Sequence, residues 1–272
     1  MNKPFLSLIY LTYRPGGIDL LAESLQGQDS SLYELLIVDD FPGRPERTVV
    51  REYAKEKNIP LAWHGPSKLK SRPETPCGLL NAMNTGAMYA RADRIVFVHD
   101  FCYLRNNAIQ QWGRSFLENG TKAVISGVAR RQTALPPARM DDISIWEPGK
   151  LALANVYERL EENWIPEVFE NFYCGMHVNF LEECNGFDER ADGDFAWMPW
   201  SIIDQIHLHR YRPVVDRELE LIMVDHRQWQ GGQQWHASRG GGEVKSRLEP
   251  GWVYWAPNNF CFKEERDKII NG

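Results

Sequence analysis

The sequence predicts an α/β fold, a mostly parallel sheet flanked by helices in one continuous domain. Three observations carry this prediction. Short apolar runs alternate with segments of helical periodicity through the first hundred residues. The runs are apolar on both faces, as buried parallel strands are. A chain of 272 residues with 43% hydrophobic content can also fill one complete core.

"FLSLIYLTY" is a near-continuous apolar strand, and Ile18, Leu21, Ala22 and Leu25 follow it at helical spacing. "YELLIVDD" is the second strand, with an amphipathic helix through Val49, Val50, Tyr53 and Ala54 behind it. "IPLAW" is the third. The segment "GLLNAMNTGAMYARA" puts Leu79, Met83, Gly86 and Ala90 on one helical face, with small residues that permit close packing, and "RIVFV" is the fourth strand. The second half is less regular. Ile109, Trp112 and Phe116 predict a helix, "KAVISGV" a strand, and Leu153, Val156, Tyr157 and Leu160 a further helix; Leu219, Leu221 and Met223 alternate as in a half-buried strand. The loop "RQWQGGQQWHASRGGGEV" reads as a flexible segment of the kind that covers a site.

The balance of 31 basic to 37 acidic residues, a net charge of -6, argues against a general phosphate-backbone binder, so no nucleic-acid partner is expected. Five scattered cysteines show no zinc-site or disulfide spacing and predict a reducing, cytoplasmic setting. The start "MNKPFLSLIYLTYRPGG" lacks a small-residue cleavage site and reads as a buried strand rather than a secretory signal. No apolar run reaches the roughly 20 residues a bilayer requires. A peripheral membrane contact stays open.

Open parallel sheets bind ligands in the crevice at the carboxyl ends of their strands. Strand one ends at Thr12, Tyr13 and Arg14, strand two at Asp39 and Asp40, and strand four at His99 and Asp100. Any one of these could be a helix cap or a loop solvation group. Three such ends at one rim are less easily explained that way.

These residues resemble the family 2 glycosyltransferases with the GT-A fold, over the chain up to about residue 226. The resemblance lies in a first strand ending "TYRP", a second ending "LIVDD", the helix and strand "NAMNTGAMYARADRIVFVHD", and the later "GFDER". It implies a nucleotide-sugar-binding half over residues 1–105 and an acceptor-binding half over 106–272. It also implies that Thr12, Tyr13, Arg14 and Asp39 hold the base and ribose of a nucleotide-sugar donor, expected to be a UDP-sugar. The chemistry agrees: an acid accepts hydrogen bonds from the uracil imide or ribose hydroxyls, and Tyr13 offers a stacking face.

A departing nucleoside diphosphate needs its charge neutralised, by a hard divalent cation or by basic side chains. The resemblance implies Mn²⁺ or Mg²⁺ on Asp100, with His99 in the first position of a His-x-Asp motif and His226 as the distal ligand; His236 is the fallback, and a structural loop histidine is the plain alternative for His226. Where the motif usually has its second acid, this chain has Phe101. Lys70 and Arg72 could reach the phosphates. Asp188, in "GFDE", is implied near the donor sugar. A hydroxyl nucleophile needs a general base, typically worth about 10²–10⁴-fold. Asp204 is the nearest acid in the helix "SIIDQIHLHRYRP", with Asp192 and Asp194 as the other candidates. One alignment puts Gln205 at the base position, and a surface salt bridge is the alternative role for Asp204.

Tryptophans 197, 200, 229, 235, 252 and 255 gather in the second half, where their faces would suit either sugar rings or the core. The function these readings imply is inverting transfer of a sugar to an acceptor hydroxyl on a glycan, a lipid-linked sugar or a small molecule. Two alternatives are a sugar-1-phosphate nucleotidyltransferase and a non-catalytic sugar-nucleotide or glycan-binding protein.

Overall fold

The computed structural model describes residues 3–12, 17–40, 47–67, 79–100, 102–105, 107–132, 173–189, 192, 197–224 and 261–272. Strands β1 (Leu6–Thr12), β2 (Tyr33–Asp39), β3 (Leu61–Gly65) and β4 (Arg94–His99) lie parallel in the order β3-β2-β1-β4. Between them run α1 (Ile18–Leu25), α2 (Arg47–Glu56) and α3 (Leu79–Tyr89). Each of these seven elements falls where an apolar run or a helical spacing in the sequence puts it.

Beyond β4 come β5 (Cys102–Leu104), α4 (Ala108–Asn119), β6 (Ala123–Gln132), β7 (Cys174–His177), α5 (Val178–Cys184), α6 (Trp197–Leu208), β8 (Arg212–Val224) and α7 (Phe262–Asn271). The sheet continues without a break as β4-β7-β6-β8-β5. Four of its seven pairings are parallel; the β4–β7, β7–β6 and β8–β5 pairings are antiparallel. The antiparallel strands β5 and β7 are three and four residues long, too short to display a period in sequence. The helix read at 153–160 and the Gly-rich loop lie outside the described residues.

Strand alternation divides the core into two layers. Leu8 and Tyr10 of β1, Leu35 and Ile37 of β2, and Val96 and Val98 of β4 pack with α1, α2 and α4. Their neighbours Ile9, Leu11, Leu36, Val38, Ile95 and Phe97 pack with α3, α5, α6 and Phe262 of α7. The sheet is therefore covered on both faces, which is why its central strands carry apolar side chains on both. All seven residues of β1 and of β2 are buried.

Helix α3 packs directly on the sheet, and Gly86 permits the contact. A Cβ there would stand 2.3 Å from Ile9 Cγ2 and 3.2 Å from Val38 Cγ2. Overpacking of this kind typically costs about 1–3 kcal/mol. G86A is thus expected to lower unfolding free energy by about that amount in urea titrations, while G27A, where a Cβ meets nothing within 4 Å, should stay within about 0.5 kcal/mol of wild type.

Candidate functional site

The sheet register brings the polar strand ends together. Asp39 lies opposite Thr12, and His99 lies opposite Leu11, so three adjacent strands present Thr12, Asp39 and His99 at one carboxyl rim. Asp39 is 8% exposed and Thr12 is 3% exposed. The next residue, Asp40, donates its backbone N–H to the Thr12 carbonyl at 2.8 Å, which fixes the ends of β1 and β2 to each other. Its carboxylate accepts from Ser67 twice, from the backbone N–H at 2.8 Å and from the hydroxyl at 2.6 Å. The exit of β3 is thereby tied to the exit of β2.

At the end of β4, His99 Nδ1 stands 2.8 Å from the Asp100 backbone carbonyl and 3.7 Å from Asp100 Oδ1. The Cys102 sulfur lies 3.7 Å from Nδ1. Burial works against a charge on this ring, but the Cys102 sulfur and the Asp100 carboxylate outweigh it and push the His99 pKa up to about 10. Asp100 itself is buried. Among the described residues no three His, Cys, Asp or Glu side chains converge as a metal cage. One buried carboxylate at the rim fits a small hard cation that takes the rest of its oxygens from water and substrate phosphates.

The turn that follows α5 is organised by α3. Helix α5 ends in Asn185 at φ 59°, and Gly186 follows at φ 89°. Glycine is required twice over at 186, because a Cβ there would also meet Asn84 Oδ1 at 2.9 Å. The Asn84 amide donates to Glu189 Oε1 at 2.9 Å and to the Phe187 carbonyl at 3.0 Å, and Asn84 Oδ1 accepts from the Phe187 N–H at 2.7 Å. One turn earlier, Asn81 Nδ2 donates to Glu189 Oε2 at 2.9 Å. Asp192 accepts the α3 backbone N–H groups of Leu80 and Asn81 at 2.7 and 3.0 Å. It sits on the first turn of α3 as a capping carboxylate does. Asp188, within this turn, is buried.

Among the candidate residues, Thr12, Asp39, His99 and Asp100 share the rim, Asp188 and Asp192 share the turn held by α3, and Asp204 is half-buried on α6. Gln205, its neighbour, is buried and donates from Nε2 to the Gly186 carbonyl at 2.9 Å, which docks α6 on the turn. Tyr13, Arg14, Lys70, Arg72, Phe101, Asp194, His226 and His236 lie outside the described residues, as do the side chains of tryptophans 197, 200, 229, 235, 252 and 255. His64, Ser67, Asn81, Asn84 and Glu189 hold the rim and the turn in place, and the sequence reading passes over them. The rim rule finds the first two if it is applied to strand three, which runs straight into "HGPS". The asparagines carry no signal apart from standing three residues apart on one helix.

The chain belongs to glycosyl transferase family 2, whose family model matches residues 14–183. Its fold is the GT-A fold seen in solved glycosyltransferases at low sequence identity. S. aureus TarS 1–349 is 15% identical with a TM-score of 0.52, over 80% of this chain and 60% of that one. TarS 1–349 has also been solved in complex with UDP-GlcNAc, at a TM-score of 0.50. The mannosyltransferase PcManGT from Pyrobaculum calidifontis, in complex with GDP-Man and Mn²⁺, is 15% identical with a TM-score of 0.55, over 87% of this chain and 62% of that one. The chain thus spans about 60% of the length of these relatives. No curated protein matches it in sequence.

Asp192 yields a pH test. Burial pushes its carboxyl up to about 8, and the nearby charges of Glu189 and Asp40 add to this against the two helix amides. The folded state then holds a proton that the unfolded chain has released, so this contribution to stability is full below the usual carboxyl range and is lost as pH rises towards 8. Between pH 6 and 8 the unfolding free energy should fall by up to about 1.4 kcal/mol per pH unit on this account. In Asp192→Asn, urea titrations across the same pH range should show that slope reduced, whatever the absolute stability of the variant.

Proposed function

We propose that this chain transfers a sugar from a nucleoside-diphosphate donor, with a UDP-sugar as the expected donor, to an acceptor hydroxyl with inversion at the anomeric carbon. One observation carries the reading. In a family 2 chain, Thr12, Asp39, His99 and Asp100 gather at the carboxyl rim of β1, β2 and β4, where open sheets take their ligands. Two features of the solved relatives support it: TarS binds UDP and UDP-GlcNAc, and PcManGT binds GDP-Man with Mn²⁺. The four described cysteines are free thiols, which supports a cytoplasmic setting. No described helix is long and apolar enough to cross a membrane.

In this reading Asp39 accepts from the base, and Thr12, Tyr13 and Arg14 flank the nucleoside. Asp100 and His226 would hold Mn²⁺ or Mg²⁺, whose charge offsets that growing on the diphosphate as it leaves. Lys70 and Arg72 add positive charge beside it, and Asp188 orients the donor sugar. Both oxygens of Asp192 accept helix amides, which leaves Asp204, with Asp194 behind it, as the preferred base for the acceptor hydroxyl. Inversion follows from a single displacement with the base on the acceptor side.

The test is incubation with a panel of nucleotide sugars and acceptors, with and without Mn²⁺. Nucleoside diphosphate should be released, and NMR of the product should show an inverted anomeric centre; a retained configuration would overturn the single displacement. Pyrophosphate release from a nucleoside triphosphate would point to nucleotidyl transfer instead. Asp100→Asn should lower kcat/KM by about 10²–10³, with thermal unfolding monitored alongside. Full activity of that variant in the presence of a chelator would move the neutralising role to Arg14, Lys70 and Arg72.

A further inference from the structure

Asp188 is bracketed by two residues that are bonded to one side chain of α3. Phe187 before it and Glu189 after it both meet Asn84, which is 1% exposed. The Asn84 amide donates to the Phe187 carbonyl at 3.0 Å and to Glu189 Oε1 at 2.9 Å, while its Oδ1 accepts the Phe187 N–H at 2.7 Å. A backbone N–H can only donate and a carbonyl can only accept, so Phe187 alone fixes this orientation, whatever the charge on the acids nearby. Both amide hydrogens are spent. The stop of α5 does not require this grip, because Gly186 already donates its N–H to the Leu181 carbonyl at 2.7 Å, the bond that closes a helix ending in left-handed residues. Asn84 holds the chain beyond that stop, 103 positions away in sequence. From there the connection runs through α3 and Gly86 to Ile9 and Val38 of β1 and β2, the strands that end in Thr12 and Asp39. One helix thereby sets the distance from those strand ends to Asp188.

We propose that Asn84 is a positioning residue for sugar transfer: it holds Asp188 at a set distance from the strand ends and so aligns the donor's sugar without touching it. The inference rests on the reading of the rim as the nucleotide site and of Asp188 as the residue that orients the sugar. The nucleoside diphosphate is held at the strand ends and does not need Asn84. The sugar beyond it does. A reacting group displaced by about 1 Å can cost about 10²-fold in rate, even when the altered residue lies away from the chemistry. Loss of Asn84 therefore separates turnover from nucleotide affinity.

The experiment compares the full chain, with Mn²⁺ present, as wild type, N84A and W112F. Calorimetry gives the affinity for UDP and GDP, and release of UDP or GDP, to water or to an acceptor, from UDP-GlcNAc, UDP-glucose, UDP-galactose and GDP-mannose gives kcat. W112F is the control for lost stability: Trp112 is buried, donates to the Tyr173 hydroxyl at 2.8 Å, and packs in the core layer on the other face of the sheet from α3. N84A should keep nucleotide affinity within about twofold of wild type and lose about 10²-fold in kcat, the pattern of an interaction realised in the transition state. W112F should melt earlier and keep its kcat. If N84A does not fold, N81A, which releases only Glu189 Oε2, takes its place with the same split at smaller size. An N84A variant with the wild-type kcat, an equal loss of kcat and nucleotide affinity, or the same loss of kcat in W112F would overturn the proposal and leave Asn84 a structural residue. A wild type that binds UDP or GDP but releases neither from any of the four sugars would overturn it and leave the nucleotide site standing. A wild type that binds neither nucleotide would remove both.

Discussion

The close approach of α3 to the sheet is the contact on which the rest of the rim depends. Gly86 lets the helix settle against Ile9 and Val38, and this depth brings Asn81 and Asn84 within reach of Phe187 and Glu189. The same helix then presents its first amides to Asp192. One element thereby sets the height of the turn at Gly186 over the strand ends. The cost of burying Glu189 and Asp192 is offset by donors that α3 supplies, so neither acid is left without partners in the interior.

Several acids crowd this rim, each held by a different device. Asp39 has His64, Asp40 has the two donors of Ser67, Asp100 has the imidazole of His99 nearby, and Asp192 has the helix amides. Asp40 and Glu189 still act on Asp192 through space and raise its proton affinity. Excess negative potential at a crevice favours cations. A divalent ion or the guanidinium and ammonium groups of Arg14, Lys70 and Arg72 would suit it better than a bare diphosphate. The rim thus makes electrostatic sense as one part of a site completed by its ligands.

How far the sequence reveals this depends on whether a feature leaves a local pattern. The four parallel strands and their helices are legible because their buried faces dictate apolar runs and 3.6-residue spacing. The strand-end residues are legible because the fold class says where to look. Strands β5 and β7 are not, since three or four residues cannot show alternation. The polar tie between α3 and the turn joins residues more than a hundred positions apart, and no local rule anticipates such a pairing. Gln205, seen in sequence as a residue where an acid might be expected, is a buried anchor to Gly186, a role that depends on where α6 lands.

The pairing of β5 with β8 bears on how this protein can be divided. The four parallel strands look like a self-sufficient unit, complete by His99. Yet the chain that leaves Asp100 is pinned at once, with Cys102, Tyr103 and Leu104 paired to Met223, Ile222 and Leu221 of β8. The segment just after the rim of β4 is therefore anchored by a strand more than a hundred residues later in the chain. A fragment cut before β8 would keep the four parallel strands but lose that clamp, and on the ribosome the stretch after Asp100 must wait for β8 before it can settle. The two ends of the sheet are mechanically interdependent.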